Sequence, residues 1–219
     1  MSFLPGMSPG FLGGQLTLAF VDSAESSAST ITVPAAALQG DIAYLCDRGL
    51  NGAGLPSTAI PSGFASIINT TAGTVRRQIS SVGVLGAAPG GTSLTGMNAD
   101  SSNRKMILVF RPSRALASPF PVLLSTWLGE GTDGDPASQA VSAAGVTSPL
   151  IVIGAYGTGG GTAAFNTATP AFDATFAHTS GALIVGYKIY NMGPYDHAID
   201  AADTGTGNIL QSGYLRAIG

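Results

Sequence analysis

Charge is what this 219-residue chain has least of. Lys, Arg, Asp and Glu together make up 10% of it, against roughly a quarter in an average soluble domain. Lys105 and Lys188 are the only lysines, and the net charge is -3, which gives no basic footprint for nucleic acid. Arg76, Arg77, Arg104, Lys105, Arg111 and Arg114 do gather in the middle third of the chain. Strand-like and turn-like sequence separates them, so no nucleic-acid partner is expected. The single cysteine, Cys46, cannot form an intramolecular disulfide, a usage common in chains that fold in a reducing cytoplasm. It sits in "DIAYLCDR" without a local catalytic partner and reads as a half-buried strand thiol. No uninterrupted apolar run reaches about 18 residues, so neither a spanning helix nor membrane insertion is expected.

Apolar residues and glycine take the place of charge. The hydrophobic fraction is 45%, which separates the chain from disordered sequences of low charge, and the 31 glycines are about twice the usual share. Solvent-facing positions must then be filled by Ser, Thr, Asn, Ala and Gly. A surface of that kind repels copies of itself weakly and suits a subunit that packs against other proteins. The first residues, "MSFLPGMSPGFLGGQ", lack the positive start of a signal peptide. Pro5, Pro9 and four glycines exclude a helix there. Residues 1–15 read as an extended docking arm whose Phe3, Leu4, Met7, Phe11 and Leu12 need a partner surface, and residues 16–219 as one domain.

From residue 16 the sequence turns into short strand-like runs divided by Gly, Pro, Ser, Thr and Asn clusters. The runs are 16–24, 29–34, 41–48, 64–70, 74–84, 105–112, 121–129, 138–144, 149–157, 182–191, 195–200 and 207–217. Long loops are expected at 49–63, 86–104 and 157–171. The segment 135–145, where Pro136 would suit a first helical turn, reads as strand or loop. No internal repeat of fixed period stands out. Without a 3.6-residue stripe, the pattern predicts an all-β protein, a jelly-roll-like β-sandwich with an N-terminal arm.

Motif by motif, catalysis finds little support. "PLIVIGAYGTGGG" leads from a strand into five glycines, but a dinucleotide fingerprint needs a further glycine where Thr162 stands and a helix after it. No Walker lysine follows either, so the stretch reads as a turn and no cofactor is expected. Glu130, Asp133 and Asp135 share a loop that would suit calcium, yet they miss the EF-hand spacing and fit ordinary turn chemistry. No metal is expected. His197 with Asp200, beside Asp196 and Asp203, invites comparison with a hydrolytic site using Ser180 or Ser212, but no nucleophile elbow is present. His178 lies in a Thr/Ser-rich loop. With two histidines and two glutamates the chain reads as a non-enzyme; a polysaccharide-degrading enzyme is the third choice. Aromatic residues offer another chemistry: Trp127, Tyr156 and Tyr195, with Tyr187 and Tyr190, could stack on sugar rings, although each also suits a core.

Read together, "ITVPAAALQGDIAYL", "IPSGFASI", "RKMILVFRP", "SPLIVIGAYGT", "LIVGYKIYN" and "GNILQSGYLR" follow one order. A strand ends at proline, "GD" opens the next, and "PSGF" turns into the third. Over residues 16–219 this resembles small β-sandwich virion accessory proteins of tailed bacteriophages, of the tail-fibre or decoration type. The resemblance implies folding in a bacterial cytoplasm, a place in the virion, and extended arms that dock on neighbours. The expected role is a tail-fibre or tail-tip component contributing to host-surface binding, assembled as a homotrimer with other virion proteins and meeting a host-surface glycan. The alternative is a capsid decoration protein that stabilises the shell. The family carries no catalytic signature.

Overall fold

A computed structural model describes residues 15–50, 52, 54–97, 103–116, 122–124, 127–143, 146, 149–191, 195–202 and 206–218. The expected docking-arm residues Phe3, Leu4, Met7, Phe11 and Leu12 lie outside the described residues. The described chain is all-β, built from β1 (Leu18–Ser26), β2 (Ile31–Thr32), β3 (Ile42–Leu50), β4 (Phe64–Ala72), β5 (Arg76–Val84), β6 (Ser93–Leu94), β7 (Arg104–Pro112) and β8 (Val122–Leu124), followed by β9 (Leu128–Thr132), β10 (Gln139–Ser142), β11 (Leu150–Gly157), β12 (Phe165–Thr169), β13 (Ala174–Ala177), β14 (Leu183–Tyr190), β15 (Asp196–Ala201) and β16 (Asn208–Ala217). The segment around Pro136 leads into the strand β10.

These strands form a sandwich of two large antiparallel sheets, each covered on its outer face by a smaller one. One large sheet runs β1-β7-β3-β5-β4, and the other runs β13-β14-β11-β16 with β8 and β9 side by side along its last edge. A β2-β6 pair covers the first and a β10-β15-β12 sheet covers the second. Three apolar cores separate the four layers. The central one holds Ile42, Tyr44, Cys46, Leu108 and Phe110 from one sheet against Ile151, Ile153, Val185 and Leu215 from the other.

The inner strands are apolar on both sides because both sides are covered. On β3, Ile42, Tyr44 and Cys46 face the central core while Ala43 and Leu45 face the β2-β6 layer. On β11, Ile151, Ile153 and Ala155 face inward while Leu150, Val152 and Tyr156 face the β10-β15-β12 layer. Runs such as "KMILVF" and "LIVIGAY" are therefore continuous rather than alternating, as strands buried on two faces must be. This also corrects the reading of Cys46: it is wholly buried, not half-buried.

Each large sheet comes from one half of the chain, and both halves follow one plan. Numbered within its half, the first sheet places its strands in the order first, fifth, second, fourth, third: β1, β7, β3, β5, β4. The second sheet, read from its β8/β9 edge, gives the same order: β8/β9, β16, β11, β14, β13. β8 and β9 pair in turn along β16 as β1 pairs along β7. Even the covers correspond. β2 and β10 each follow the first strand, β6 and β15 each precede the last, and β2 pairs with β6 as β10 pairs with β15. Only β12 has no counterpart. The fold thus contains an internal repeat that no residue periodicity announces, its two halves packed sheet to sheet.

A polar network crosses this central junction. β5 carries Gln78 and Ser80 on the face where Val82 meets the core, and both are fully buried. Ser80 Oγ donates to Gln211 Oε1 at 2.8 Å, so the Tyr44 hydroxyl, 2.6 Å away, donates to Ser80. Gln78 Nε2 donates to Gln211 Oε1 and to the Ala155 carbonyl. Gln211 Nε2 donates to Thr70 Oγ1 and to the Gln78 carbonyl, both at 2.9 Å. Gln78 Oε1 is the one buried atom of the set without a partner; the other bonds tie the two halves in one register.

Candidate functional site

The catalytic residues considered from sequence do not converge. His197 lies on β15 with its ring turned into the core between the second sheet and its cover. It stacks on Phe172 at 5.1 Å, and its Nδ1 is 3.2 Å from the Tyr190 hydroxyl. Burial, and then the charge of Lys188, hold its pKa down to about 4, so the ring is neutral over most of the pH range. Asp200 instead accepts a hydrogen bond from Asn166 Nδ2, and Asp196 accepts one from Ser142 Oγ at 2.6 Å. Asp203 lies outside the described residues. Ser212 is buried and donates to Gln139 Oε1 at 2.7 Å. Its position excludes a nucleophile exposed to substrate.

Ser180 meets a different histidine from the one considered. In the turn between β13 and β14 its Oγ lies 2.9 Å from His178 Nδ1 and accepts from Arg104 Nε at 2.6 Å. The Ser180 backbone N–H donates to the same Nδ1, which makes that nitrogen an acceptor and leaves the ring proton on Nε2, 3.4 Å from Ser27 Oγ. Burial lowers the pKa of His178. The arrangement locks a turn: the ring nitrogen holds a backbone amide, and the other nitrogen faces a hydroxyl rather than a carboxylate.

The acidic loop is equally occupied. Glu130 Oε2 accepts from the Ala137 amide and Asp133 Oδ1 from the Gly207 amide, while Asp135 is exposed. No group of three His, Cys, Asp or Glu side chains that would hold a metal occurs among the described residues.

Of the aromatic residues considered for sugar binding, burial corrects the reading of Tyr156. Tyr156 is completely buried, its hydroxyl donating to the Ala202 carbonyl at 2.7 Å. Trp127 packs over Gly213 and stacks on Tyr44 at 5.9 Å, sealing the side of the central core. Tyr187 belongs to a stack with Phe20 and Phe176. Tyr195 is half-buried and stacks on Tyr190 at 4.0 Å. Tyr156 therefore offers no face to a ligand, while Trp127 and Tyr195 are partly exposed.

What the surface does offer is edges. β4, β10, β12 and β13 are outermost in their sheets, and none of them contains Lys, Arg, Asp, Glu or Pro. Their exposed positions are Ala65, Ser66, Asn69 and Thr71 on β4, Ala140 and Ser142 on β10, Asn166, Thr167 and Thr169 on β12, and Thr175 and Ala177 on β13. Edge strands of proteins that stay apart usually carry charges or proline against sheet-to-sheet pairing. Here bulges in β4 and β12 are the visible irregularities. β1 alone among the long edges carries two acids, Asp22 and Glu25.

The second concentration of chemistry is cationic; Arg76, Arg77, Arg104 and Lys105 gather in the sequence, but that Arg48 joins them was not legible there. At one end of the sandwich the register sets Arg48 of β3 opposite Arg104 of β7. Arg76 and Arg77 open β5 beside them. The signal lay in the glycines of "PLIVIGAYGTGGG": Gly157 and Gly159 are each the floor beneath an arginine. Compared with known proteins, the chain matches no family model, no curated protein and no solved structure.

Proposed function

We propose that this chain is a structural subunit of a tailed-bacteriophage particle, a non-catalytic β-sandwich that assembles with copies of itself and with other virion proteins. The observation that carries the reading is the set of open edge strands β10, β12 and β13, which hold no charge and no proline; the fourth, β4, is backed by β9, whose Gly129 and Gly131 lie against Ile68, Thr70 and Thr71. Such edges are a hazard to a protein that must remain single, and they are usable surface for one that must pack. The low overall charge works in the same direction, since it leaves little long-range repulsion between copies. His178, His197, Ser180 and Ser212, considered for catalysis, support it from another side, because each is engaged in packing or in holding a turn.

Within the particle, a homotrimeric tail-fibre or tail-tip component, made in the host cytoplasm and contributing to contact with a host-surface glycan, is the first placement. Burial of Tyr156 and the packing of Trp127 over Gly213 favour the second, a capsid decoration protein, because a shell-covering subunit needs no sugar-stacking platform. Antibodies raised against the purified chain and imaged with gold on particles from the producing lysate test both. Gold at the tail tip supports host contact, and gold over the head supports decoration. Intact and disrupted particles that both stay free of gold remove the virion reading.

A further inference from the structure

Five cations, Arg48, Arg76, Arg77, Arg104 and Lys105, collect at the end of the sandwich where β3 finishes and β5 and β7 begin. The carboxylates described there are already engaged. Asp47 pairs with buried Lys105 at 3.3 Å, Glu25 accepts from the Thr179 amide, and Asp133 accepts from the Gly207 amide, 3.9 Å from Arg76 Nη1. Arg77 Nη1 donates to the Pro56 carbonyl and faces away from the central core. The other three guanidinium groups face inward: Arg76, ion-paired with the exposed Asp133, Arg104, and Arg48, which pairs with no carboxylate among the described residues.

Arg48 is the most confined of them. It is 3% exposed, and its Nε and Nη2 have no hydrogen-bond partner among the described residues; the same holds for Arg76 Nε. A Cβ on Gly157 would stand 2.6 Å from Arg48 Nε, and one on Gly159 would stand 2.5 Å from Arg76 Cζ. The two guanidinium groups therefore lie over positions two residues apart in the chain, where β11 ends and Gly159 bends away, close enough for the charge of Arg76 to act on Arg48. Between two cations so placed, an oxygen anion can accept from both, and like-charge repulsion becomes attraction to a shared partner. Burial and the charge of Arg76 lower the pKa of Arg48 to about 10, which still leaves it cationic at neutral pH.

We propose that this corner is an oxyanion site, in which Arg48 and Arg76 hold a phosphate-like or carboxylate group, with Arg104 adding its charge from the neighbouring strand. Arg104 is already tied to Ser180 Oγ and to the Asn103 carbonyl, which sets it as a fixed wall. The site is independent of the virion reading. It serves a free inorganic anion or a carboxylate brought by a neighbouring subunit equally well in chemistry.

The test uses the full chain. Thermal unfolding is followed in sodium phosphate and in sodium acetate, with sodium chloride adjusted to constant ionic strength. A saturable rise of about 5 °C in phosphate over chloride is expected once the anion is well above its Kd. A rise in acetate as well assigns a site open to carboxylates, and a rise in phosphate alone assigns a site for tetrahedral anions. Arg76→Gln should lose the rise while unfolding in chloride close to the unmodified chain. Arg48→Met, which removes a buried charge but keeps the packing over Gly157, should unfold at a higher temperature in chloride and gain nothing from phosphate. Unfolding temperatures that follow ionic strength alone overturn the proposal, and so does a phosphate rise that both variants retain in full.

Discussion

Arg48 on β3 lies flat against Gly157 on β11, where a Cβ would stand 2.2 Å from Arg48 Cδ. The contact joins the central strand of one half to the central strand of the other, so the absence of a side chain at 157 is a condition for the halves to close. Gly157→Ala should destabilise the chain by about 2 kcal/mol through overpacking. In urea unfolding, Arg48→Ala with Gly157→Ala should cost clearly less than the two single changes added. Additive costs would show that the contact is not the limiting one.

Gln211 is the hub of the polar network between the halves. Gln211→Met keeps the length of the side chain and leaves Ser80, Thr70 and one Gln78 N–H without their partner, for a loss of about 3 kcal/mol. Ser80→Ala should cost less, about 2 kcal/mol, because it takes the partner from the buried Tyr44 hydroxyl while Gln78 still reaches Gln211 Oε1. Equal losses in the two variants would contradict the hub.

His197 makes stability depend on pH. Its pKa is held near 4 in the folded chain, below the ordinary value of about 6.5 in the unfolded one. Above pH 6.5 both states are neutral and nothing is lost. As pH falls from 6.5 toward 4 the unfolded state takes up a proton first, so stability falls across that window by an amount on the order of 3 kcal/mol. His178 is shifted the same way and adds to the slope. His197→Gln should flatten the stability–pH curve between 4 and 6.5. An unchanged slope would mean that His197 is not buried in the neutral form.

Cys46 should be silent until the molecule opens. Burial, with Asp47 adding to it, pushes the thiol pKa up to about 12, and the thiolate is the reactive form. Labelling by a disulfide reagent should therefore proceed at the rate of global unfolding. Reaction within seconds in the absence of denaturant would disprove the closed central core.

Assembly should fail when the edges gain charge. Thr167→Lys on β12 and Thr175→Lys on β13 place cations at exposed edge positions. Folding stability should stay within about 0.5 kcal/mol, while self-association measured by light scattering drops. Association unaffected by either lysine would exclude these edges from the contact.

Much of the fold was legible because burial on two faces writes long apolar runs. "KMILVF", "LIVIGAY" and "ILQSGYL" each mark a strand next to the centre of its sheet or at the centre itself. β12 and β13 were hidden inside an expected loop and the residues after it, since edge strands made of Thr, Ala and Asn have the composition of turns. The repeat was invisible for a related reason: the central strand is "IAYLCDRGL" in one half and "LIVIGAYG" in the other, and only strand order is shared. Among the functional candidates, residues close in sequence misled. His197 and Asp200 sit on one strand yet turn to different neighbours, while Arg48 and Arg104, far apart in the chain, face each other because β3 pairs with β7.

The duplicated strand order makes one chain the covalent counterpart of a dimer. Two separate copies meeting face to face would lose translational and rotational freedom worth an estimated 4–15 kcal/mol. A connection through residues 113–121 removes that cost and the concentration dependence that comes with it. Once joined, the halves no longer need to match. The first carries Arg48, Arg76, Arg77 and Arg104 and the second the stacked Tyr190 and Tyr195, so each half presents a different chemistry on a shared frame. An enforced pair of unlike halves also has a definite front and back, which a true homodimer lacks. A subunit so polarised can be laid down in one orientation against its neighbours, copy after copy.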